Sequence, residues 1–114
     1  QAKAETLYFA GLKLDIGRRR LEMSNGILID LSAGEFNLLL TLAVHPQKVL
    51  TRDQLLDFTH GRTEILFDRS IDMQISRLRR KLLNVCDQKE LIKTVRGGGY
   101  MLTAPVSNDE TADT

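Results

Sequence analysis

The chain has one cysteine, two histidines, two prolines and no tryptophan in 114 residues. A lone Cys86 cannot close an internal disulfide, which fits a reducing, cytoplasmic compartment. Its plain role is a small hydrophobe near a helix end. His45, His60 and Cys86 are far apart in sequence and lack ligand spacing, so no metal site is expected. No apolar run approaches the ~20 residues of a membrane span, so no membrane partner is expected. The polar start, QAKAET, is not a signal peptide. Acidic residues are scattered, and no Ser, His and Asp are set by a recognisable turn motif, so nothing points to an enzyme. Gly97 to Gly99 fits neither GxxxxGKS/T nor GxGxxG, and a strand follows rather than a helix, so no nucleotide cofactor is implied. With 16 Lys and Arg against 15 Asp and Glu, a globally basic surface is absent too.

The length suits one domain with one modest core. Hydrophobic content of 42% and charge of 27% are ordinary globular values. Residues 1–6 read as a linker remnant, the end of a linker in a longer protein. Residues 7–105 read as the folded domain. Residues 106–114 carry Asp109, Glu110 and Asp113 against no positive charge and read as a disordered acidic tail.

What basic character there is collects in one stretch, DRSIDMQISRLRRKLL, from Asp68 to Leu83. Ile71, Ile75, Leu78 and Leu82 recur at helical spacing and form one aliphatic stripe. At about 100° per residue the opposite face holds Arg69, Met73, Ser76, Arg77 and Arg80, with Arg79 and Lys81 on the flanks. Five positive residues face two negative ones, Asp68 and Asp72. A charge run is commonly just a solvated face. Arginine rather than mixed Lys/Glu argues otherwise, because a guanidinium forks onto phosphates and guanine edges. Met73 on the polar face is odd in water but suits a thymine methyl.

The rest of the chain frames that helix. Leu7 to Phe9 and the alternation at Leu12 and Leu14 predict strands. Asp15 to Gly17 is turn chemistry, and Arg18 to Arg20 reads as a solvated strand edge. Leu21 and Met23 lead into Asn25-Gly26, a hairpin signal because both residues tolerate positive φ, with a return strand from Ile27 to Asp30. Ser32 and Glu35 have capping-box spacing, and the helix to about Val44 is apolar over a wide arc, so it should be the most buried. His45-Pro46 ends it. Thr51 and Gln54 repeat the capping box and start a short helix through Phe58 that His60-Gly61 stops. Residues 59–67 form a loop long enough to be functional. Leu91 to Val95, an Arg96-led glycine turn and Tyr100 to Thr103 predict a hairpin, with Pro105 ending the ordered part.

Capped helices, a basic helix and a hairpin with Arg at its tip compose a winged helix-turn-helix. A helix of this width fits the major groove, and an arginine at a hairpin tip fits the electronegative minor groove. Four motifs carry a family resemblance: LSAGEFNLLLTLAVHP (31–46), LTRDQLLD (50–57), DRSIDMQISRLRRKL (68–82) and IKTVRGGGYML (92–102). Over roughly residues 8–104 the chain resembles the C-terminal effector domain of OmpR/PhoB-type response regulators.

That resemblance implies an α+β fold: an N-terminal four-stranded antiparallel sheet, three helices and a C-terminal β-hairpin wing. It implies sequence-specific binding of double-stranded DNA, in head-to-tail pairs on direct repeats. The family's DNA-facing positions carry over to Arg69, Met73, Gln74, Ser76, Arg77, Arg79 and Arg80, and its wing positions to Thr94, Arg96 and Tyr100. Arg77 is then the leading base reader and Met73 an apolar contact. Arg69, Arg79, Arg80, Thr94 and Tyr100 grip backbone, and Arg96 enters the minor groove. Gln74 and Ser76 stand where PhoB-like members have His and Arg. The loop carrying Gly61, Arg62, Thr63 and Glu64 corresponds to the segment that faces RNA polymerase. A receiver domain, phosphorylated by a histidine kinase, is also implied outside this chain. A rival is a winged-helix protein-interaction module that uses the same basic face on an acidic partner.

Overall fold

Alternation writes the first sheet. In a computed structural model that describes residues 6–60, 68–83, 85 and 90–107, β1 (Thr6–Phe9), β2 (Leu12–Asp15), β3 (Arg20–Met23) and β4 (Leu28–Ile29) pair in sequence order, all antiparallel. Leu12 and Leu14 point inward from β2, with Lys13 and Asp15 on the other face. The Asn25-Gly26 hairpin forms, but with a three-residue loop. Gly26 N–H donates to the Met23 carbonyl and Met23 N–H to the Ile27 carbonyl, and Gly26 alone in this turn takes a positive φ, of 91°.

The arginine run is not a strand edge. β3 lies inside the sheet, and Arg18 and Arg19 form the turn before it. Arg18 N–H bonds the Asp15 carboxylate at 3.1 Å, Arg19 N–H bonds the Ile16 carbonyl, and Arg19 sits at φ 53°. The Arg19 guanidinium lies 4.4 Å from the Phe36 ring centre and donates to Asn37 Oδ1 at 2.8 Å, tying this turn to the first helix.

That helix, α1 (Ala33–Ala43), begins with the complete capping box. Ser32 Oγ accepts from Glu35 N–H at 3.1 Å, and Glu35 Oε1 accepts from Ser32 N–H at 2.9 Å. Phe36, Leu38, Leu39, Leu42 and Ala43 are all buried, as its wide apolar arc requires. The second box is also complete. Thr51 and Gln54 exchange bonds of 2.9 and 3.1 Å and open α2 (Arg52–His60). Just before it lies β5 (Leu50–Thr51), which the sequence reading did not contain.

The helix α3 (Asp68–Leu82) buries Ile71, Ile75, Leu78 and Leu82, each at most 3% exposed. Burying such a side chain is worth about 1.5–3 kcal/mol, against about 0–1 kcal/mol for a surface ion pair. The stripe therefore decides which face of α3 looks inward. It packs in one core with Leu14 and Leu21 of the sheet, Leu39 and Leu42 of α1, Leu55 of α2 and Leu102. The wing strands β6 (Ile92–Val95) and β7 (Gly99–Leu102) follow, and β5 pairs with β7 to give the order β5-β7-β6. Gly99 is a strand residue, not part of the turn. A Cβ there would sit 2.7 Å from Val49 Cγ1 and 2.8 Å from the Leu50 carbonyl oxygen, so only glycine lets β5 approach.

The folded part extends beyond the expected boundary at Pro105. Val106 packs on the core, and Ser107 and Tyr8 exchange backbone hydrogen bonds of 2.7 and 3.0 Å. Thr6, placed in the linker remnant, is the first residue of β1. Residues 1–5, 61–67 and 108–114 lie outside the described residues, and so do Cys86 and the side chain of His60.

Candidate nucleic-acid interface

With its aliphatic stripe inward, α3 turns Met73, Ser76, Arg77 and Arg80 to solvent. Met73 is 49% exposed. These four, with Asp72, line a shallow open depression of about 300 Å³. Arg77 and Arg80 have no ion-pair or hydrogen-bond partner among the described residues. Arg69 falls on the same helix, but its side chain is outside the described residues, as are Gly61, Arg62, Thr63 and Glu64.

Both flanks of α3 are occupied, and heptad spacing explains why. Residues seven apart differ by only about 20° on a helix. Gln74 and Lys81 share one flank, and Asp72 and Arg79 share the other.

The first flank meets the start of α1. Lys81 Nζ donates to Glu35 Oε1 at 2.6 Å and to the Asp30 carbonyl at 2.8 Å. Burial pushes the Glu35 carboxyl up, but Lys81 and the Ser32 backbone and hydroxyl outweigh it and hold the group below its ordinary range. Gln74, expected among the DNA-facing residues, turns its amide toward α1 instead. Its Nε2 lies 2.8 Å from where a Cβ on Gly34 would be, and its Oε1 is buried.

The second flank meets the wing. Asp72 Oδ1 accepts from Arg52 Nε at 2.9 Å and from the Tyr100 hydroxyl. Arg52 and Tyr100 hold the Asp72 carboxyl below its ordinary range. Burial, then Asp72 itself, pushes the Tyr100 phenol up. Arg79 Nε donates to the Ile92 carbonyl at 3.1 Å and Arg79 Nη2 to Thr94 Oγ1. The guanidiniums of Arg52 and Arg79 lie 5.8 and 5.7 Å from the Tyr100 ring centre.

Three residues expected to grip a DNA backbone, Arg79, Thr94 and Tyr100, are therefore engaged within the protein. Tyr100 is only 5% exposed. Arg96 is exposed in the wing turn, where Gly97 and Gly98 take φ of 103° and 101°. Arg52, Asp72 and the Glu35–Lys81 pair were missed as organising residues. The signal available was the wheel itself, which puts Asp72 and Arg79 on one line.

Among the described residues no helix is long and apolar enough to cross a membrane. The profile of the family described as "Transcriptional regulatory protein, C terminal" matches residues 26–102. Regulatory protein VirG of Rhizobium rhizogenes is 48% identical over 102 residues, which are 90% of this chain and 42% of that protein. The chain thus spans less than half the length of the curated VirG relatives it matches. The Klebsiella pneumoniae RstA DNA-binding domain, solved in complex with RstA box, superposes with a TM-score of 0.73 at 38% identity, covering 87% of this chain and 97% of that one. The DNA-binding domain of CpxR from E. coli gives 0.74 at 39%, covering 86% and 95%. With its four-stranded sheet, three helices and wing, the chain belongs to the OmpR/PhoB family of response regulators, as a winged helix-turn-helix effector domain of the C-terminal type.

Proposed function

We propose that this domain binds double-stranded DNA sequence-specifically and is the transcription-regulating output of a two-component regulator. The observation that carries the reading is the outward face of α3. Arg77 and Arg80 stand exposed beside Met73 and Ser76 on a helix pinned along both flanks. Its 15 residues span about 22 Å, and a helix is about 10–12 Å across with side chains, dimensions that suit a major groove about 12 Å wide. The RstA domain's complex with its box supports the same class of ligand here.

In this reading α3 enters the major groove. Arg77 reads a guanine edge, Met73 packs on a thymine methyl, and Arg80 and Arg69 hold phosphates. Arg96 at the wing tip enters the minor groove. Arg79, Thr94 and Tyr100 act mainly as the base on which the wing stands, and Gln74 as packing against α1. Binding is head-to-tail on direct repeats, half-sites about one helical turn apart. A receiver domain in the whole protein, its histidine kinase and RNA polymerase complete the scheme. No catalytic step and no cofactor belong to it.

Arg77→Ala and Arg80→Ala test the assignment. The first should relax preference at one position and cost about 1–3 kcal/mol, and the second should weaken binding to all duplexes alike. If Arg77→Ala leaves affinity and preference intact, the assignment of α3 is wrong. If the domain is not retained on mixed-sequence duplex at low salt, the protein-docking alternative takes over.

A further inference from the structure

The wing is fastened to α3 at two points that meet the hairpin at one rung. Thr94 and Tyr100 are cross-strand partners in the β6–β7 register. Arg79 holds Thr94, and Asp72 holds Tyr100. Arg79 also holds the Ile92 carbonyl, and Arg52 reaches the same Asp72 oxygen from the start of α2. Asp72 and Arg79 lie seven residues apart, about 10 Å along the helix. Attachment at one point would leave the hairpin free to pivot; two points so spaced define its angle. Arg96 lies just beyond this rung, in the turn after Val95.

We infer that Asp72 and Arg79 are positioning residues that fix the wing against the recognition helix, so that the major-groove and minor-groove contacts are read at one set separation along the duplex. The inference rests on the DNA-binding reading above and adds a source of specificity that no single base contact supplies. Asp72 is the more telling of the two, because its one oxygen gathers α2, α3 and β7. Without the anchors the wing would still form, since β5 and β6 both pair with β7. Its angle to α3 would then be set only by the β5 pairing and the buried Ile92, Tyr100 and Leu102, and so less tightly.

The test uses the wild-type domain's own selected half-site. Duplexes are made in which the narrow A/T-rich minor-groove segment is moved by one base pair toward or away from the major-groove element. Wild type should lose about tenfold or more on a one-base-pair shift, comparable to a mismatched base. The double variant Tyr100→Phe, Arg79→Met removes the Tyr100 hydroxyl anchor and both Arg79 bonds, to Thr94 and to the Ile92 carbonyl, and keeps side chains of similar size. It should bind the original duplex more weakly, yet lose less than about threefold on the shift, because the wing can now follow. Asp72→Ala, which removes the acceptor for both Tyr100 and Arg52, should behave similarly. Arg80→Ala should weaken every duplex while the shifted-to-original ratio stays at the wild-type value. That ratio is a readout that general destabilisation does not move. A double variant with the wild-type ratio would overturn the inference, and so would a wild type indifferent to the shift. A wild type with no sequence-selective binding would instead defeat the DNA-binding reading itself, and the inference with it.

Discussion

Lys81 Nζ lies 2.6 Å from Glu35 Oε1, joining the last turn of α3 to the first turn of α1. The Glu35 side chain is 4% exposed and that of Lys81 37%. Glu35 serves two elements at once. The same oxygen closes the α1 capping box by accepting from Ser32 N–H. A buried carboxylate without a cation is costly, so Lys81→Met should destabilise the domain. A fully buried pair broken on one side loses about 3–5 kcal/mol. The partial exposure of Lys81 reduces this to about 1–2 kcal/mol. Urea unfolding at pH 7 measures it.

The same pair gives a pH dependence. The Glu35 carboxyl titrates below its ordinary value of 4.5 in the folded protein. Its contribution is therefore fully present above that ordinary value and is lost as pH falls through the lowered one. Glu35→Gln should be clearly less stable than wild type at pH 7, and the gap should narrow below pH of about 4. Parallel unfolding curves at both pH values decide it; a gap that widens in acid would contradict the assignment.

Position 99 offers a backbone test. Gly99→Ala places a methyl within 2.8 Å of the Leu50 carbonyl oxygen, and backbone cannot swing aside. The substitution should cost about 1–3 kcal/mol, as overpacking does. Gly26→Ala meets nothing within 4 Å and suffers only from its φ of 91°, so it should cost less. Thermal denaturation ranks the two.

Stability and binding should separate on α3. Leu78 is fully buried, and Leu78→Ala should cost about 2–5 kcal/mol in unfolding. Arg80 is exposed, and Arg80→Ala should change stability by less than about 0.5 kcal/mol. In DNA binding it should lower the salt slope by about one counterion. Calorimetry beside a salt titration of duplex binding tests both halves.

Much of this was legible in the sequence where the determining residues are close together. Both capping boxes join residues three positions apart, and both formed as read. The stripe of Ile71, Ile75, Leu78 and Leu82 told correctly which side of α3 is inside. Two residues of strand at Leu50–Thr51 are too short to show a period, so β5 was invisible, and with it the reason for a third glycine at Gly99. The tight turn between β1 and β2 rests on Ala10 at φ 50°, a residue with no turn signature, and on Gly11. The flanks of α3 depend on partners 13 to 51 residues away. Composition cannot tell an arginine that meets Thr94 from one that meets a phosphate. Arg79 and Arg80 are neighbours in sequence, yet the first is tied to the wing and the second is open to solvent.

The most direct test of the central proposal is selection from a random duplex pool with the wild-type domain at about physiological salt, followed by a salt series on the enriched sequences. The expected result is a direct repeat with half-sites about one helical turn apart, bound with a steep salt slope and still preferred over mixed sequence as salt rises. No enriched motif, with all binding lost at modest salt, would contradict it and leave the face of Arg77 and Arg80 as a charge patch for a protein partner.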